Sequence, residues 1–177
     1  MSKIIAVDLY DNPIGEYTKE EGHIRPILHR AFSVFLYHDD QMLIQQRAMG
    51  KYHSAGLWTN SCCSHPQPGE NLYFAVERRL REELYLKCSC KEVFSFVYYH
   101  KFSENLFEYE YDRVFVGKYD GEVKFNTDEI AQVKWVQINE LAADIIAFPE
   151  KYSIWFLTSA PKVIEIIAED ITLLTRK

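Results

Sequence analysis

The alternation of hydrophobic and polar positions predicts a chain built mostly of strands, with one helix in the middle and helices at the end. The expected strands are rich in β-branched and aromatic residues and are bounded by turn residues. They lie at residues 4–9, 31–37, 42–46, 93–99, 107–116 and 133–138. The turn at 38–40 joins the second and third strands into a hairpin. This order favours an α+β sandwich over a parallel sheet.

Two helices are predicted after the last strand. Asn139 can cap a short helix that ends near Ala147, and Pro161 can begin a terminal helix that runs through Leu174. Residues 17–28, before the hairpin, are polar and are expected to form an irregular arm.

The central helix, which follows a turn at residues 66–69, carries charge on its apolar face. Leu72, Val76 and Leu80 form one stripe at helical spacing. Arg79 and Glu83 fall in the middle of that stripe. On an exposed surface, such an ion pair contributes only a few tenths of a kcal/mol. Inside the protein an unpaired charge costs several kcal/mol, so the pair indicates a functional site rather than a simple buried salt bridge.

Length and composition predict one domain with a substantial core. The chain has 177 residues, of which 47% are hydrophobic and 15% aromatic. The predicted domain covers residues 1–177, with its core at about 28–160, an N-terminal arm and a C-terminal helix. The net charge of −6 argues against a general nucleic-acid binder, because that activity needs a broad basic field.

The sequence predicts neither secretion nor membrane insertion. The first ten residues include Asp8 and lack the long apolar run of a signal peptide. No apolar run reaches the roughly 18 residues of a membrane span. The cysteines form an adjacent pair and a C-x-C, neither of which resembles a disulfide framework or a zinc knuckle. They are Cys62, Cys63, Cys88 and Cys90. A cytoplasmic protein with free thiols is expected, with Cys62 buried and inert.

Aromatic and acidic residues alternate from Phe107 to Tyr111. In a strand, this spacing places the carboxylates on one face and the rings on the other. An ordinary amphipathic strand, with Glu108, Glu110 and Asp112 in solvent, explains the pattern by itself. The alternative is that the two glutamates combine with histidines in a metal site.

Three histidines lie beside predicted turns or strand edges, at His23, His29 and His65. Together with the two glutamates, they would form a mixed nitrogen and oxygen site suited to zinc or manganese. The other three, at positions 38, 53 and 100, are expected to be ordinary surface or core residues.

Four basic side chains are spread over four segments, at Lys19, Arg47, Lys51 and Arg79. Each alone is typical of a solvated surface, but together they would form an anion pocket for phosphate. Cys62 or Cys63 is a candidate for proton transfer. A thiol near a cation and histidines is expected to have a lowered pKa and to exchange protons near neutrality.

Five sequence blocks resemble the type I isopentenyl-diphosphate isomerases, a branch of the Nudix superfamily. They are RAFSVFL at 30–36, QRA at 46–48, GLWTNSCCSHP at 56–66, ERRLREEL at 77–84 and EYE at 108–110. The similarity extends from about Lys19 to Trp155. It implies a Nudix-like α/β/α sandwich, with mixed and antiparallel sheets and a central Nudix-box helix.

The Nudix box, G-x5-E-x7-R-E-U-x-E-E-x-G-U, aligns with this chain from Ser64 to Leu86. Arg79 stands where Nudix hydrolases carry a metal-binding glutamate, which makes diphosphate hydrolysis less expected. Ser64 and Tyr85 replace the two glycines, at positions where glycine would permit a positive φ.

The resemblance also implies roles for individual residues. The expected ligands of a Mn²⁺ or Zn²⁺ ion are His23, His29, His65, Glu108 and Glu110. Glu83 and the backbone carbonyl of Cys63 are expected to hold Mg²⁺ beside the substrate diphosphate. The diphosphate itself is expected to contact Lys19, Arg47, Lys51 and Arg79. The expected catalytic residues are Cys63, Glu110, Tyr98 and Trp155.

The implied reaction converts isopentenyl diphosphate into dimethylallyl diphosphate through a tertiary carbocation, a step of isoprenoid biosynthesis. Glu110 or Tyr98 would supply a proton on one face, and Cys63 would remove one from the other. Trp155 would face the cation. The alternatives are a Nudix hydrolase of a nucleoside or other diphosphate and a non-enzymatic metal-dependent binding module. The expected partner is the small-molecule substrate, with no nucleic acid or membrane, and the expected state is a monomer or homodimer.

Overall fold

The computed structural model describes residues 3–175, which contain nine strands in one mixed sheet and four α-helices. The strands are β1 (Lys3–Val7), β2 (Pro13–Thr18), β3 (His29–His38), β4 (Gln41–Arg47), β5 (Trp58–Thr59), β6 (Cys62–Ser64), β7 (Lys91–Ser103), β8 (Leu106–Lys118) and β9 (Ile130–Gln137). The helices are α1 (Lys19–Ile24), α2 (Leu72–Leu84), α3 (Ile138–Ala147) and α4 (Ile154–Thr175). A 3-10 turn, Pro149–Lys151, precedes α4.

The central strand of the sheet is β3. It pairs in parallel with β8 and antiparallel with β4 and β6. Beyond these neighbours, β8 pairs with β7, and β4 pairs with β9 and β5. The register places His29 opposite Glu110 and Ser33 opposite Cys63. These pairings bring chemically active residues from distant parts of the chain to one end of β3.

Alternate side chains of β3 supply two cores on opposite faces of the sheet. Phe32 and Val34 pack in one core with Leu80 of α2. Phe35 packs in the other core with Phe156 of α4 and with residues of α3. The predicted α/β/α sandwich and its central helix are therefore confirmed.

The predicted strands and the hairpin are confirmed, and most strands are longer than expected. The hairpin turn is the two-residue connection Asp39-Asp40, in which Asp39 has a φ of 50°. The short strands β2, β5 and β6 were not predicted: β5 and β6 have only two and three residues, too few to show a period, and β2 contains Pro13 and Gly15, which are typical of turns.

The terminal helix begins seven residues before Pro161, so the prediction that Pro161 starts it is wrong. Buried side chains at Phe156, Ala160, Val163 and Ile167 form one helical stripe that continues past the proline. Burial of that stripe outweighs the backbone hydrogen bond that a proline inside a helix removes.

The start of α3 also differs from the prediction. The helix begins at Ile138, and Gln137 occupies the N-cap without a side-chain bond. Asn139 accepts a hydrogen bond from the backbone N–H of Glu140 at 2.9 Å instead of capping the helix. The buried Ile138 donates its N–H to Asp40 O at 2.8 Å, which places the helix start against the β3–β4 hairpin.

The predicted irregular arm at 17–28 contains the end of β2 and the helix α1, so that prediction is wrong in part. Thr18 and Glu21 form a capping box, in which each side chain binds the backbone N–H of the other residue. This T-x-x-E pattern was a readable helix-start signal. No helix within residues 3–175 is long and apolar enough to cross a membrane.

Candidate active site

A pocket of about 590 Å³ brings together residues that are far apart in the sequence. All four predicted basic residues and all four predicted catalytic residues line it. They are Lys19, Arg47, Lys51, Arg79, Cys63, Tyr98, Glu110 and Trp155. Glu83, Glu108 and His65 also line the pocket, while His23 and His29 are buried beside it.

Four of the five predicted metal ligands form one compact group. Ligand atoms of His23, His29, His65 and Glu110 all lie within 4.8 Å of one another. The Nε2 atom of His65 is 2.9 Å from Glu110 Oε1, and that of His29 is 3.6 Å from the same oxygen. Such a set of imidazole and carboxylate donors is suited to a borderline divalent cation.

Backbone carbonyls fix the orientation of two of these rings. The Nδ1 atom of His23 lies 2.5 Å from Lys19 O, and that of His29 lies 2.7 Å from Ile27 O. Because a carbonyl only accepts, each Nδ1 carries the hydrogen and each Nε2 presents a lone pair. Both Nε2 atoms are buried and have no hydrogen-bond partner among the described residues. These orphaned acceptors fit a bound cation, so this group can hold a divalent metal ion.

Close packing of α1 on β1 places His23 in this group. A Cβ atom on Gly22 would lie 2.1 Å from Ile4 Cδ1, so a side chain there would displace the helix or the buried Ile4. The other ligands come from regular pairing. His29 begins β3, Glu110 lies opposite it on β8, and His65 directly follows β6.

Glu108 lies apart from this group and faces another histidine. It forms a second set of possible donors with His23 and His53, and His53 Nε2 is 2.9 Å from Glu108 Oε1. The Tyr98 hydroxyl lies 2.7 Å from one oxygen of Glu108 and 2.7 Å from one of Glu110. The expectation that His53 is an ordinary residue missed this contact, because a single histidine in a loop shows no periodic spacing.

The acidic face of β8 is buried, so the interpretation with its carboxylates in solvent is wrong. Glu108, Glu110 and Asp112 are each at most 6% exposed. Asp112 Oδ2 accepts a hydrogen bond from Ser33 Oγ at 2.7 Å, and burial raises its pKa well above the ordinary value. The period-two spacing that marked the glutamates also indicated Asp112.

Burial keeps His23 and His65 neutral at pH 7. It lowers the pKa of His65 to about 3 and also lowers the pKa of His23. Burial alone would raise the pKa of Glu110, but the nearby His29 and His65 hold it well below the ordinary value. Neutral imidazoles beside an ionised carboxylate are the protonation states that metal ligation requires.

The opposite wall of the pocket carries the ion pair of the central helix. Arg79 Nη2 donates to Glu83 Oε1, and Arg79 Nη1 donates to Glu82 Oε2 at 2.6 Å. Glu83 is 4% exposed, and burial raises its pKa despite the guanidinium beside it. The pair therefore faces inward as predicted. Nearby, Lys51 forms a similar ion pair with Glu129.

Cys63 lies on β6, between the two walls. Burial raises the pKa of its thiol, and Arg47 offsets that effect only in part. The expectation of a lowered pKa is therefore wrong, because removal from water destabilises a thiolate more than one nearby cation stabilises it. Cys62 is fully buried, and all four cysteines are free.

Trp155 closes the pocket near the start of α4. Its Nε1–H donates to Asn60 Oδ1 at 3.2 Å, and the ring is 3% exposed. The guanidinium carbon of Arg47 lies 5.2 Å from the ring centroid, so the indole already faces a cation. Burial and the neighbouring Glu108 raise the pKa of Tyr98 well above its ordinary value, which keeps this phenol neutral.

Comparison with known proteins identifies the family of this chain. Residues 27–156 match the NUDIX domain. The chain is 49% identical over 154 residues to isopentenyl-diphosphate Delta-isomerase 2 of Photorhabdus laumondii, covering 86% of this chain and 87% of the relative. The chain belongs to the isopentenyl-diphosphate isomerase family of Nudix proteins. The Aromatoleum aromaticum isopentenyl-diphosphate Delta-isomerase 2 is 46% identical over 163 residues, covering 92% of this chain and 86% of that relative.

Solved structures show the same fold at lower sequence identity. The Deinococcus radiodurans protein DR0079 aligns with a TM-score of 0.76 at 22% identity, covering 91% of this chain and 98% of that one. The MutT protein of Methanosarcina mazei aligns with a TM-score of 0.60 at 17% identity, covering 85% and 96%. At these identities the likeness concerns the fold alone.

Proposed function

We propose that this isomerase-family protein interconverts isopentenyl diphosphate and dimethylallyl diphosphate. The observation that carries the proposal is the pocket itself, in which a thiol, a carboxylate–phenol pair and four basic side chains meet. An unactivated alkene is a weak base, so its protonation needs an acid held in contact with it and a means of stabilising the cation that forms. The basic residues would hold the diphosphate while those groups act.

Two divalent ions would complete the site. We propose Mn²⁺ or Zn²⁺ at His23, His29, His65 and Glu110, with Glu108 as the fifth ligand, and Mg²⁺ at Glu83 and the backbone carbonyl of Cys63. Bound ions would lower the proton affinity of their carboxylate ligands and neutralise part of the diphosphate charge. The orphaned Nε2 atoms support the first assignment, and the buried carboxylate beside Arg79 supports the second.

The protonation states supply an acid and a base. Cys63 holds its proton at neutral pH, whereas Glu110 is ionised. The thiol would give its proton to the terminal alkene carbon, and Glu110 would remove a proton from the carbon nearer the diphosphate. Tyr98, which donates to the carboxylates, would carry that proton onward. These roles are the opposite of the sequence-based assignment for this direction, in which Glu110 or Tyr98 supplies the proton and Cys63 removes one.

Trp155 would stabilise the tertiary cation between these two steps. A desolvated cation over an indole gains about 2 kcal/mol. In the substrate-free structure, Arg47 occupies that ring face. We expect its guanidinium to turn towards the diphosphate, which would leave the face of the indole to the carbocation.

An assay with isopentenyl diphosphate and Mg²⁺, with and without Mn²⁺, tests the proposal. Formation of dimethylallyl diphosphate supports it. Release of phosphate would instead support the diphosphate hydrolase. The absence of both products would support the non-enzymatic binding module. Cys63→Ala should keep the fold and metal content but lose about 10²–10⁴-fold in turnover. Cys88→Ala, outside the pocket, is the matched control; near-normal turnover in Cys63→Ala would remove this thiol from the mechanism.

The setting and assembly of the enzyme are also proposals. Four free cysteines favour a reducing compartment, and we propose the cytoplasm. We propose a monomer or a homodimer, which sedimentation of the purified protein would distinguish.

A further inference from the structure

His53 has no assigned role, yet it lines the pocket. It lies in the loop between β4 and β5, and its side chain is 5% exposed. A histidine in a loop usually stays in solvent, where its ring is well hydrated. Burial of this one therefore needs partners for both ring nitrogens.

Both nitrogens have such partners. The Nε2 atom lies 2.9 Å from Glu108 Oε1, and Nδ1 lies 3.3 Å from the Ser54 hydroxyl. The Nε2–Oε1 pair is within ion-pair distance, and a hydrogen on Nε2 leaves Nδ1 free to accept from the hydroxyl of Ser54. Tyr98 donates to the other oxygen of Glu108, at 2.7 Å. The Glu108 carboxylate is thus held at both ends.

Packing fixes the ring of His53 in the plane that this contact needs. It stacks on Phe102 with centroids 4.7 Å apart, and Trp155 meets it edge-on at 5.9 Å. Tyr52 also meets it edge-on, with centroids 4.4 Å apart. Three aromatic contacts leave the imidazole little freedom to rotate away from Glu108.

We propose that His53 is a positioning residue of the metal centre, which holds Glu108 in place for the ion through the close polar contact between its Nε2 and Glu108 Oε1. The inference rests on the metal centre of the proposed function. Hydrogen-bonding partners of metal-ligating carboxylates set the orientation of the ligand, and their loss typically costs 10–100-fold in metal affinity.

A separate second metal site at this place does not fit the donors. The second donor group consists of His53, Glu108 and His23, and the first group also needs His23. Since Nδ1 of His23 is bound to Lys19 O, only one lone pair of that ring is available. Two ligands would then remain, fewer than the three or four protein ligands of a zinc site.

Two substitutions separate hydrogen bonding from packing. His53→Phe keeps the aromatic contacts but removes the donor, whereas His53→Gln keeps an N–H donor near the position of Nε2. Calorimetric titration of chelator-treated protein with Mn²⁺, and separately with Zn²⁺, measures the dissociation constant and the number of ions. We expect about 10–100-fold weaker binding for His53→Phe and recovery to within about threefold of wild type for His53→Gln.

Three outcomes would overturn the proposal: unchanged affinity in His53→Phe, equal loss in both variants, or one ion fewer bound in each. His38→Phe, at the partly exposed hairpin, is the matched control and should bind as wild type. If His53→Phe does not fold, His53→Asn replaces it, because the shorter amide cannot reach Glu108 and should show the same loss.

The metal titration is independent of turnover. If no isomerase activity is found but the metal titration gives the expected affinities, the proposed reaction is rejected and the positioning role of His53 is supported. A normal isomerase assay with unchanged titration would reject the positioning role alone.

Discussion

The two carboxylate-bearing walls of the pocket accommodate buried charge in different ways. On β8, the two side chains that form hydrogen bonds with Glu110, His65 and Tyr98, are both neutral. On α2, Glu83 already has a full positive charge beside it in Arg79. Both carboxylates are at most 6% exposed, so burial alone does not distinguish them.

This difference in neighbouring charge indicates which kind of ligand each wall can bind. A buried carboxylate with only neutral donors carries an uncompensated charge, and a resident cation would stabilise it most. A carboxylate that is already paired can release its guanidinium to an arriving anion if a cation takes that place. The comparison supports the proposed metal ion at the wall formed by β8, the strand wall, and the proposed diphosphate with Mg²⁺ at the wall formed by α2, the helix wall.

We expect the largest effect when the Glu110 carboxylate is removed from β8. Glu110→Gln removes the ionised carboxylate that we propose as both base and metal ligand, and turnover should fall about 10²–10⁴-fold. Measurement of turnover and of bound Mn²⁺ or Zn²⁺ checks this. Glu104→Gln, in the exposed β7–β8 turn, is the control and should change neither quantity. Turnover within tenfold of wild type in Glu110→Gln would contradict the assignment.

A smaller effect is expected from breaking the helix wall. Arg79→Ala should weaken binding of a non-reactive diphosphate analogue by about 10–100-fold, because hydrogen bonds to charged groups contribute about 1.5–3 kcal/mol. Calorimetry with excess Mg²⁺ measures the affinity. Arg81→Ala, on the exposed side of the same helix, removes a similar ion pair to Glu77 and should bind normally. An unchanged affinity in Arg79→Ala would argue against a phosphate-binding role.

The walls should also differ in their response to pH. The folded pKa of His65, about 3, is below the unfolded value of about 6.5, so the unfolded chain binds more protons between these values. Stability of the metal-free protein should therefore fall as pH decreases through this window, by at most about 1.4 kcal/mol per pH unit for this group.

Urea unfolding of metal-free wild type and His65→Gln, from pH 7 to pH 4.5, measures this contribution. The raised pKa values of Glu83 and Asp112 act in the opposite sense, so the difference between the two proteins reports His65 together with its effect on the pKa of Glu110. Parallel stability curves for the two proteins would mean that His65 does not titrate as described.

We expect the smallest effect at the C-terminal end of α2, where one substitution should stabilise the protein. Tyr85 ends α2 with a φ of 53°, in the left-handed region that disfavours a side chain. Tyr85→Gly should raise the free energy of unfolding by about 0.5–1 kcal/mol. Tyr85→Ala keeps the Cβ atom and should show no such gain. Equal stability of the glycine and alanine variants would mean that the backbone is not strained there.

Much of the fold was readable because its signals are local. Alternation in β3 and β8 and the apolar stripe of α2 each lie within about a dozen residues. The errors arose where tertiary burial overrode a local rule, as in the continuation of α4 through Pro161. The error at residues 17–28 was avoidable, because the capping box of α1 was present in the sequence.

Local patterns in the chain predicted the sandwich, the family resemblance and the residue types that this chemistry needs. Which of those residues meet depends on how the strands pair. The parallel pairing of β3 with β8 joins residues about 80 positions apart, His29 and Glu110, and no local period encodes that distance. Burial likewise decided charge: it keeps the proton on Cys63 and places His53 against Glu108. Desolvation depends on the atoms that surround a group, and those atoms are assembled only by folding.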